Sequence, residues 1–410
     1  MRNRRLMLLM AVALVFLLAG SAFAKVKLTF WNGFTGPDRP VVEALVAQFN
    51  EENPDIEIEM DIMPWDTFMQ KLLPSYIVGQ GPDIAGLGAE LLPRLVDAGV
   101  LAPIDDVFTE TNLTREMLAP FAVDAATYKG HLYGTPMSNF ALLMYYNIDH
   151  FTAAGLAPEA PTNWDEWLEA AIKLSNPPQQ YGFVMPTKQA PAVWHLLMWS
   201  NGGGILGDNG EVLIDSAESK EAVKFWADAV LKHEISPIGL TGPETDKVFQ
   251  TGKASMHIVG PWMTTGFTEA GLNYDVAPIP EGPVTRATVG GVTSMAISKQ
   301  AGEDPVKRQA VYRFLEFWNS EEAQIKWALG ANFPPNRIDI ADNPEILAHP
   351  WVPKFTAGLA YARGHLVGTP HASEIESDIY DTAIEYILLG RKSVDDALNE
   401  AGQKLRDLLK

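Results

Sequence analysis

Strands and helices alternate over residues 26–87, and this order limits the possible folds more than any other feature of the chain. The strand segments are rich in β-branched and aromatic residues or alternate apolar with acidic ones, whereas the first helix segment repeats apolar residues at i, i+3, i+4 and i+7. The predicted segments are a strand at 26–31, a helix through 42–49, a strand at 56–62, a helix at 66–80 and a strand at 83–87. This β-α-β-α-β order predicts a parallel sheet with right-handed crossovers.

Ligands of such sheets bind beyond the carboxyl ends of the strands. Each of the three predicted strands is followed there by aromatic, amide or acidic residues. The residues at those ends are Trp31, Asn32, Gly33 and Phe34, then Pro64 and Trp65, then Gly88, Ala89 and Glu90. We therefore expect a ligand site at this edge of the sheet.

A second block of strands and helices begins near Tyr133 and continues to the C-terminus. Predicted strands lie at 141–146, 256–259 and 289–298, and predicted helices start after Asn163 and lie at 216–232, 305–319, 375–389 and 394–409. Asn163 is a candidate N-cap because Glu166 stands three residues later. The chain has no internal repeat, low-complexity tract or long linker, so we expect α/β domains joined by short crossings.

Length and charge narrow the class of protein. The chain has 410 residues, 47% of them apolar, which predicts two to three globular domains. It carries 51 acidic against 31 basic side chains, a net charge of −20. This balance argues against a nucleic-acid partner, because such binding neutralises phosphates with lysine and arginine. Since the chain has no cysteine, disulfides, thiolate metal sites and cysteine nucleophiles are excluded.

The first 24 residues have the pattern of a secretory signal peptide. Three arginines among the first five residues precede an apolar run over 6–19, and small residues end at Ala24, as in the three regions of such a signal. The run is too short to span a membrane comfortably. Ser21 stands where a lipoprotein would carry its lipidated cysteine. We expect cleavage after Ala24 and a periplasmic protein that is not lipid-anchored.

No catalytic or cofactor motif is present in the sequence. There is no phosphate-binding glycine loop, dinucleotide fingerprint, H-E-x-x-H, EF-hand loop or G-x-S-x-G. The histidines are scattered. His131 and His365 fall in predicted loops and could contact a ligand, but such histidines are more often surface residues, and we expect both to lie on the surface. Adjacent acids such as Asp165 and Glu166 cannot both face one glycosidic bond, since neighbours on a helix point about 100° apart. We predict a protein that is not an enzyme and holds no cofactor or metal.

Aromatic residues occupy several predicted loop positions. Six of them fall where a strand or a Gly/Pro turn ends: Trp31, Phe34, Trp65, Phe140, Trp194 and Trp262. An aromatic ring offers a flat apolar surface to the C–H face of a sugar, while amides and charges bind its hydroxyls. Three other tryptophans, Trp226, Trp318 and Trp327, lie on predicted helix faces and are assigned to the core. The loop set is a candidate sugar platform.

Short segments in a fixed order give the chain a family resemblance. They lie at 28–31, 81–84, 98–105, 130–136, 144–147, 161–166, 252–256, 260–262 and 314–327. Two of them are Gly81-Pro82-Asp83-Ile84 and Gly260-Pro261-Trp262. With these segments the chain resembles the extracellular solute-binding proteins of ATP-binding-cassette (ABC) importers, in the branch that contains maltose- and other oligosaccharide-binding proteins.

The resemblance implies a two-lobe architecture. Two discontinuous α/β lobes would be joined by a three-crossing hinge, the type II arrangement of periplasmic binding proteins. Lobe I would comprise residues 25–138 and 292–332, and lobe II residues 139–291 and 333–410. The crossings would lie near residues 136–140, 289–294 and 331–335.

The resemblance also implies the ligand contacts, position by position. Those of the first lobe would be Trp31, Asn32, Phe34, Trp65 and Glu90. Asn139, Phe140 and Gly291 would stand at the hinge, and Gln189, Trp194, Trp262 and Arg363 would come from the second lobe. Trp262 matches the tryptophan of the family's Gly-Pro-Trp turn, and Arg363 matches an arginine that bonds sugar oxygens in relatives.

The implied function is a periplasmic receptor that captures a sugar, an oligosaccharide or glycoside, by hinge closure and delivers it to a membrane permease. The alternative is a receptor of the same fold for a polyol phosphate or another small non-sugar solute, although no lysine or arginine cluster falls in the predicted cleft loops. From other classes, a secreted carbohydrate-active enzyme would use the same aromatic residues, and an adhesive protein would not need paired lobes. We expect a monomer whose partners are the sugar and the permease.

Overall fold

The computed structural model describes residues 25–188, 192–207 and 209–410. The predicted signal peptide and Gln189 therefore lie outside the described residues. The strands, in chain order, are β1 Val26–Asn32, β2 Ile56–Ile62, β3 Ile84–Gly88, β4 Thr127–Tyr128, β5 His131–Leu132, β6 Gly134–Ala141, β7 Leu143–Asn147, β8 Met256–Val259, β9 Tyr274–Ala277, β10 Thr288–Ile297 and β11 Ala362–Gly364.

Helices fill the intervals between these strands. They are α1 Arg39–Glu52, α2 Trp65–Ile77, α3 Leu92–Asp97, α4 Val107–Glu110, α5 Pro120–Ala125, α6 Ile148–Ala153, α7 Trp164–Leu174, α8 Ala192–Ser200, α9 Ala217–His233, α10 Gly242–Gln250, α11 Thr264–Glu269, α12 Lys299–Glu303, α13 Pro305–Trp318, α14 Glu321–Ala331, α15 Pro344–Ala348, α16 Val352–Gly358, α17 Ala372–Glu374, α18 Asp381–Leu388 and α19 Val394–Leu408. Single 3₁₀ turns lie at Arg115–Met117, Pro261–Met263 and Leu359–Tyr361, and a π-helical turn at Ile375–Tyr380. Among the described residues, no helix is long and apolar enough to cross a membrane.

The larger sheet has the strand order β11-β10-β3-β1-β2, and β6 pairs with β10 as well. β1 is parallel to β2, with Val26 opposite Ile56, and parallel to β3, with Phe30 opposite Ile84. The predicted parallel pairing of the first three strands is therefore confirmed. β10 runs antiparallel to both β3 and β6, so the sheet is mixed and not wholly parallel.

A smaller antiparallel sheet belongs to the second lobe. Its strand order is β8-β7-β9, with Tyr145 of β7 opposite His257 of β8 and Val276 of β9. A short hairpin of β4 and β5 stands apart from both sheets.

Two large hydrophobic cores define the two lobes. The first core takes its buried residues from 28–137 and again from 295–333, including Trp318 and Trp327. The second takes them from 142–289 and again from 366–405, including Trp226. These three tryptophans are buried, as predicted. The two-lobe, discontinuous α/β fold is confirmed, while the predicted residue boundaries of the lobes stay predictions.

Two of the chain segments that pass between the cores are neighbouring strands. β6 and β10 pair antiparallel, with Phe140 opposite Gly291 and Asn139 opposite Val292. A strand pair of this kind resists stretching but bends, which suits a connection between two rigid bodies.

The third segment between the cores follows α14, and side-chain amides link it by hydrogen bonds to the first segment, which is part of β6. Asn336 donates from Nδ2 to the carbonyl of Pro136 at 2.9 Å, and its Oδ1 accepts from Nδ2 of Asn139 at 3.1 Å. Asn332, which has a positive φ of 66°, donates to Oγ1 of Thr265 at 3.0 Å. The segments between the lobes thus form one hydrogen-bonded unit.

Candidate functional site

Trp262 lies where the two lobes meet. Its half-buried ring packs against the cores of both lobes. The turn Gly260-Pro261-Trp262 follows β8 directly, so the end of a strand of the second lobe sets the position of the ring. The ring meets Phe140 edge to face, with 5.1 Å between centroids and an interplanar angle of 87°. Of the predicted contacts, Trp262 and Phe140 are brought together at the lobe boundary.

Gly291 has no side chain and so leaves room for the ring of Phe140. The two residues are paired opposite each other on β10 and β6, and a Cβ added at Gly291 would overlap the Phe140 ring. Only glycine leaves this space open, so Gly291 shapes the site through Phe140.

The first lobe contributes three of the predicted contacts, which lie at the end of β1 and at the start of α2: Trp31, Asn32 and Trp65. Trp31 is half-buried at the end of β1, with Nζ of Lys71 5.3 Å from its ring centroid. Trp65 begins α2 and covers Gly33 so closely that a Cβ there would overlap its ring. Asn32 is buried; its Oδ1 accepts from the backbone N–H of Phe34 at 3.1 Å, and its Nδ2 has no hydrogen-bond partner among the described residues. Two ring surfaces and one free amide donor therefore lie at the predicted edge of the sheet.

Glu90 stands after β3 at the same edge. Its side chain lies against Gly88, and burial raises the pKa of its carboxyl. The carboxylate is available as a hydrogen-bond acceptor near the lobe boundary.

Two of the aromatic residues that we predicted to stack on a sugar have buried rings. Phe34 is 4% exposed and meets Trp65, Trp327 and Phe333 edge to face within the first core. Trp194 was predicted at a turn; this placement is wrong, since it lies inside α8, 1% exposed, and donates from Nε1 to the carbonyl of Pro186 at 3.0 Å. α8 is apolar on nearly all sides because it crosses the second core. Neither ring offers an open face.

The two remaining predicted contacts, Asn139 and Arg363, differ in burial. Asn139 is fully buried, and its Nδ2 is used within the crossing segments, with bonds to Asn336 and to the carbonyl of Pro335 at 3.2 Å. Only its Oδ1 lacks a partner among the described residues. Arg363 is exposed on β11, with its guanidinium carbon 5.9 Å from the ring centroid of Trp199. Asn139 is thus placed for a structural role, and Arg363 is free to reach a ligand.

The sequence of residues 44–354 matches the model of the bacterial extracellular solute-binding proteins. This chain belongs to that family. Relatives of this solute-binding protein are themselves named as binding proteins. A putative binding protein of Brucella abortus (strain 2308) is 29% identical, and the match covers 98% of each chain.

Two further relatives carry the name of a ligand. The maltotriose-binding protein of Pyrococcus abyssi is 25% identical, over 82% of this chain and 72% of its own. The sn-glycerol-3-phosphate-binding periplasmic protein of Escherichia coli K12 is 23% identical, over 98% of this chain and 96% of its own.

Solved structures share the fold. An ABC transporter solute-binding protein of Thermotoga lettingae bound to α-D-tagatose superimposes with a TM-score of 0.85 at 24% identity, over 94% of this chain and 100% of the other. The maltose-bound MalE3 of T. maritima gives 0.84 at 25% identity, over 93% and 100%.

Sequence reasoning missed a histidine pair in this solute-binding protein. His195 on α8 and His365 after β11 meet through their Nδ1 atoms at 2.9 Å. The expectation that His365 lies on the surface is wrong, since only 12% of its side chain is exposed. No local pattern joins residues 170 positions apart, so nothing in the sequence signalled the pair.

Glu376 was missed for the same reason. It lies in the π-helical turn with Oε1 3.8 Å from Nε2 of His365. Burial, and then the charges of Glu90 and Asp381, raise the pKa of Glu376 to about 7. Because Glu90 comes from the first lobe, carboxylates of both lobes lie at one boundary.

Several acids that stand next to another acid in the sequence have structural partners. Asp105 binds Nδ1 of the exposed His131 at 2.8 Å, and Asp106 accepts from Arg308. Glu166 accepts from the backbone N–H of Thr162 at 2.8 Å, beside the start of α7. Within the part of the chain that the structure describes, no three His, Asp or Glu side chains are grouped to hold a metal ion.

Proposed function

We propose that this solute-binding protein captures a sugar, an oligosaccharide or glycoside, between its lobes and delivers it to the permease of an ABC importer. The observation that carries the proposal is the placement of Trp262, a half-buried indole packed on both cores. A sugar ring stacks its C–H face on such a surface, and aromatic burial of this kind dominates binding energy.

Polar groups around the boundary complement the rings. The amide donor of Asn32, the carboxylate of Glu90 and the guanidinium of Arg363 are suited to the hydroxyl rim of a sugar. Trp31 and Trp65 supply further half-buried rings on the first-lobe side. This mixture of flat apolar surface and separated polar groups is typical of carbohydrate sites.

Hinge closure would convert capture into a signal for the permease. The crossing segments connect two separate cores, so the lobes are able to rotate as rigid bodies. A sugar that contacts both lobes binds the closed form more tightly and shifts the equilibrium toward it by that difference in affinity.

The names of several relatives support a sugar ligand. The Pyrococcus relative is a maltotriose-binding protein, and the T. maritima structure holds maltose. The E. coli relative, which binds sn-glycerol 3-phosphate, supports the second candidate, a polyol phosphate. The half-buried rings of Trp262, Trp31 and Trp65 suit the C–H face of a sugar better than a small phosphate ester, and we therefore favour the neutral sugar.

Export, monomeric state and the absence of catalysis belong to the same proposal. The signal-peptide pattern and Ser21 support a free periplasmic protein without a lipid anchor. A receptor that hands over an intact solute needs no catalytic group. Conversion of a bound oligosaccharide into products would contradict the proposal.

A thermal-shift screen followed by calorimetry tests the ligand class. The mature protein is heated with a panel of mono- and oligosaccharides, including tagatose, maltose and maltotriose, and with sn-glycerol 3-phosphate. A sugar at ~100 times its Kd should add ~2.7 kcal/mol to the free energy of unfolding. A shift with glycerol phosphate and with none of the sugars would refute the sugar proposal.

A further inference from the structure

Glu376, His365 and His195 form a series that runs from the lobe boundary into the second core. Glu376 is 36% exposed, His365 is 12% exposed and His195 is buried. The distances are 3.8 Å from Oε1 of Glu376 to Nε2 of His365 and 2.9 Å between the two Nδ1 atoms. The series thus links a carboxylate at the boundary to a fixed point in the core.

Hydrogen bonds determine where the protons of this series lie. Nε2 of His195 accepts from the backbone N–H of Ile205 at 3.2 Å, so the proton of this ring lies on Nδ1. That Nδ1–H donates to Nδ1 of His365, which leaves the His365 proton on Nε2. Burial lowers the pKa of both rings, to about 4 for His365, so both are neutral near pH 7.

The Nε2–H of His365 is therefore a hydrogen-bond donor close to Glu376. The atom is buried and has no hydrogen-bond partner among the described residues. Oε1 of Glu376, at 3.8 Å, is less than ~1 Å beyond hydrogen-bond distance. The fully buried hydroxyl of Tyr380, in the same π-helical turn, also lacks a partner. A small shift of Glu376 would satisfy the histidine and fix the carboxylate.

Glu376 faces mainly acidic and neutral groups, while Arg363, two residues from His365, lies near enough to help lower the pKa of His195. Glu90 approaches from the first lobe, Asp381 and Tyr380 lie on its own helical stretch, and His365 is neutral. Within the described residues neither Glu376 nor Glu90 is paired with a lysine or arginine. Two carboxyl groups without a direct cationic partner have oxygens left to accept hydrogen bonds from hydroxyl groups.

We propose that Glu376 is a ligand-contacting residue of the second lobe, that His365 positions it, and that Glu376 and Glu90 together bind the hydroxyl groups of a neutral sugar. The inference rests on the proposed sugar-binding function and deepens it by naming two residues that bind the sugar hydroxyls.

Binding is then coupled to protonation. If hinge opening solvates Glu376, its carboxyl returns toward the ordinary glutamate pKa of 4.5, whereas burial in the described conformation raises the pKa to about 7. Between these values closure takes up a proton, so sugar affinity falls as the pH rises from about 4.5 to about 7 and levels off above. Glu90 and Asp381, whose pKa values are also raised by burial, act in the same direction.

Calorimetry at pH 5.5 and pH 7.5 tests the assignment on the mature protein, with tagatose, maltose, maltotriose and sn-glycerol 3-phosphate as probes. We expect a sugar to bind about 20-fold more tightly at pH 5.5, and glycerol phosphate not to bind. Glu376→Gln should remove most of the pH difference, and Glu376→Ala should weaken sugar binding at least tenfold at both pH values. His365→Phe should weaken binding several-fold and keep the pH difference. Asp378→Asn, an exposed acid in the same turn, is the matched control and should bind as the wild type does.

Two results overturn the assignment while leaving the sugar receptor intact: a Glu376→Gln variant with the wild-type pH difference, or a Glu376→Ala variant with wild-type affinity. Melting curves of the unliganded variants verify that they fold. Binding of glycerol phosphate without any sugar contradicts the receptor proposal itself, and the assignment with it.

Discussion

At the scale of single residues, the aromatic side chains differ in what covers their rings. Trp262, Trp31 and Trp65 keep part of the ring uncovered, whereas Trp194 and Phe34 are enclosed by the cores. Trp262 was singled out because its Gly-Pro-Trp turn matches that of the family, and its contact with a ligand stays a prediction. The burial of Trp194 depends on packing partners far away in sequence, and a helix that is apolar on most sides shows no periodic stripe that would reveal it.

Replacing Trp262 tests its role directly. Trp262→Ala should weaken sugar binding by about 1–3 kcal/mol, since it removes the central stacking surface. Trp351→Ala is the matched control, because its ring is half-buried like that of Trp262 but is stacked on Tyr274 at 5.0 Å and lies beside Lys354. Calorimetry should show unchanged affinity for the control. Equal affinity of Trp262→Ala and the wild type would remove Trp262 from the site.

Gly291 should tolerate no side chain. Gly291→Ala places a methyl group on the Phe140 ring, and we expect a loss of about 1–3 kcal/mol in the free energy of unfolding. Gly266→Ala is the control: it lies in α11 with its nearest neighbour atom at 3.4 Å, so it should be neutral or slightly stabilising. Urea denaturation of both variants measures the contrast, and similar stabilities would refute the packing argument.

At the scale of elements, the first turn of α1 carries a buried acid. Asp38 precedes this helix, is 6% exposed, and its side chain makes no capping hydrogen bond. Burial raises the pKa of its carboxyl from 3.8 to about 6, against the opposing effect of nearby backbone N–H groups. Ionised Asp38 therefore destabilises the folded protein.

Because ionised Asp38 destabilises the fold, its replacement by asparagine should increase stability more at high pH than at low pH. The wild type loses stability from Asp38 as the pH rises from about 4 to about 6, by about 3 kcal/mol for two pKa units. Asp38→Asn should therefore be more stable relative to the wild type at pH 7.5 than at pH 4, as measured by urea denaturation. Asp395→Asn, an exposed acid in the first turn of α19, should show no such difference. A constant offset for Asp38→Asn would contradict the argument.

The asparagines of the crossing segments should be essential for stability. Asn336→Ala removes the donor to Pro136 and the acceptor of Asn139, and leaves buried polar groups unpaired at a cost of about 1–3 kcal/mol each. Asn399→Ala, at an exposed contact with Lys220, should change stability by less than about 0.5 kcal/mol. Chemical denaturation compares the two, and a neutral Asn336→Ala would show that the amides do not hold the segments together.

Local elements were more predictable than their pairing. The alternation of the first strands and the apolar repeat of α1 come from nearby residues, and the structure confirms both. The insertion of β10 antiparallel between β3 and β6 joins strands about 150–200 residues apart. Sequence periodicity carries no information on such distant pairing.

At the scale of the whole molecule, the site lies where two cores meet. Trp262 and Phe140 pack on both cores. The charge of Glu90 in the first lobe adds to the effect of burial and raises the pKa of Glu376 in the second lobe. The family resemblance supplied the two-lobe plan and the importance of Trp262. It did not supply the His195–His365 pair, whose partners meet only after the second lobe has folded.

A crystal structure of the mature protein with the sugar that binds in the screen is the most direct test of the central claim. We expect the sugar between the lobes, with one ring face against Trp262 and hydroxyls bonded to residues of both lobes. A sugar held by one lobe alone, or bound away from Trp262, would contradict the account.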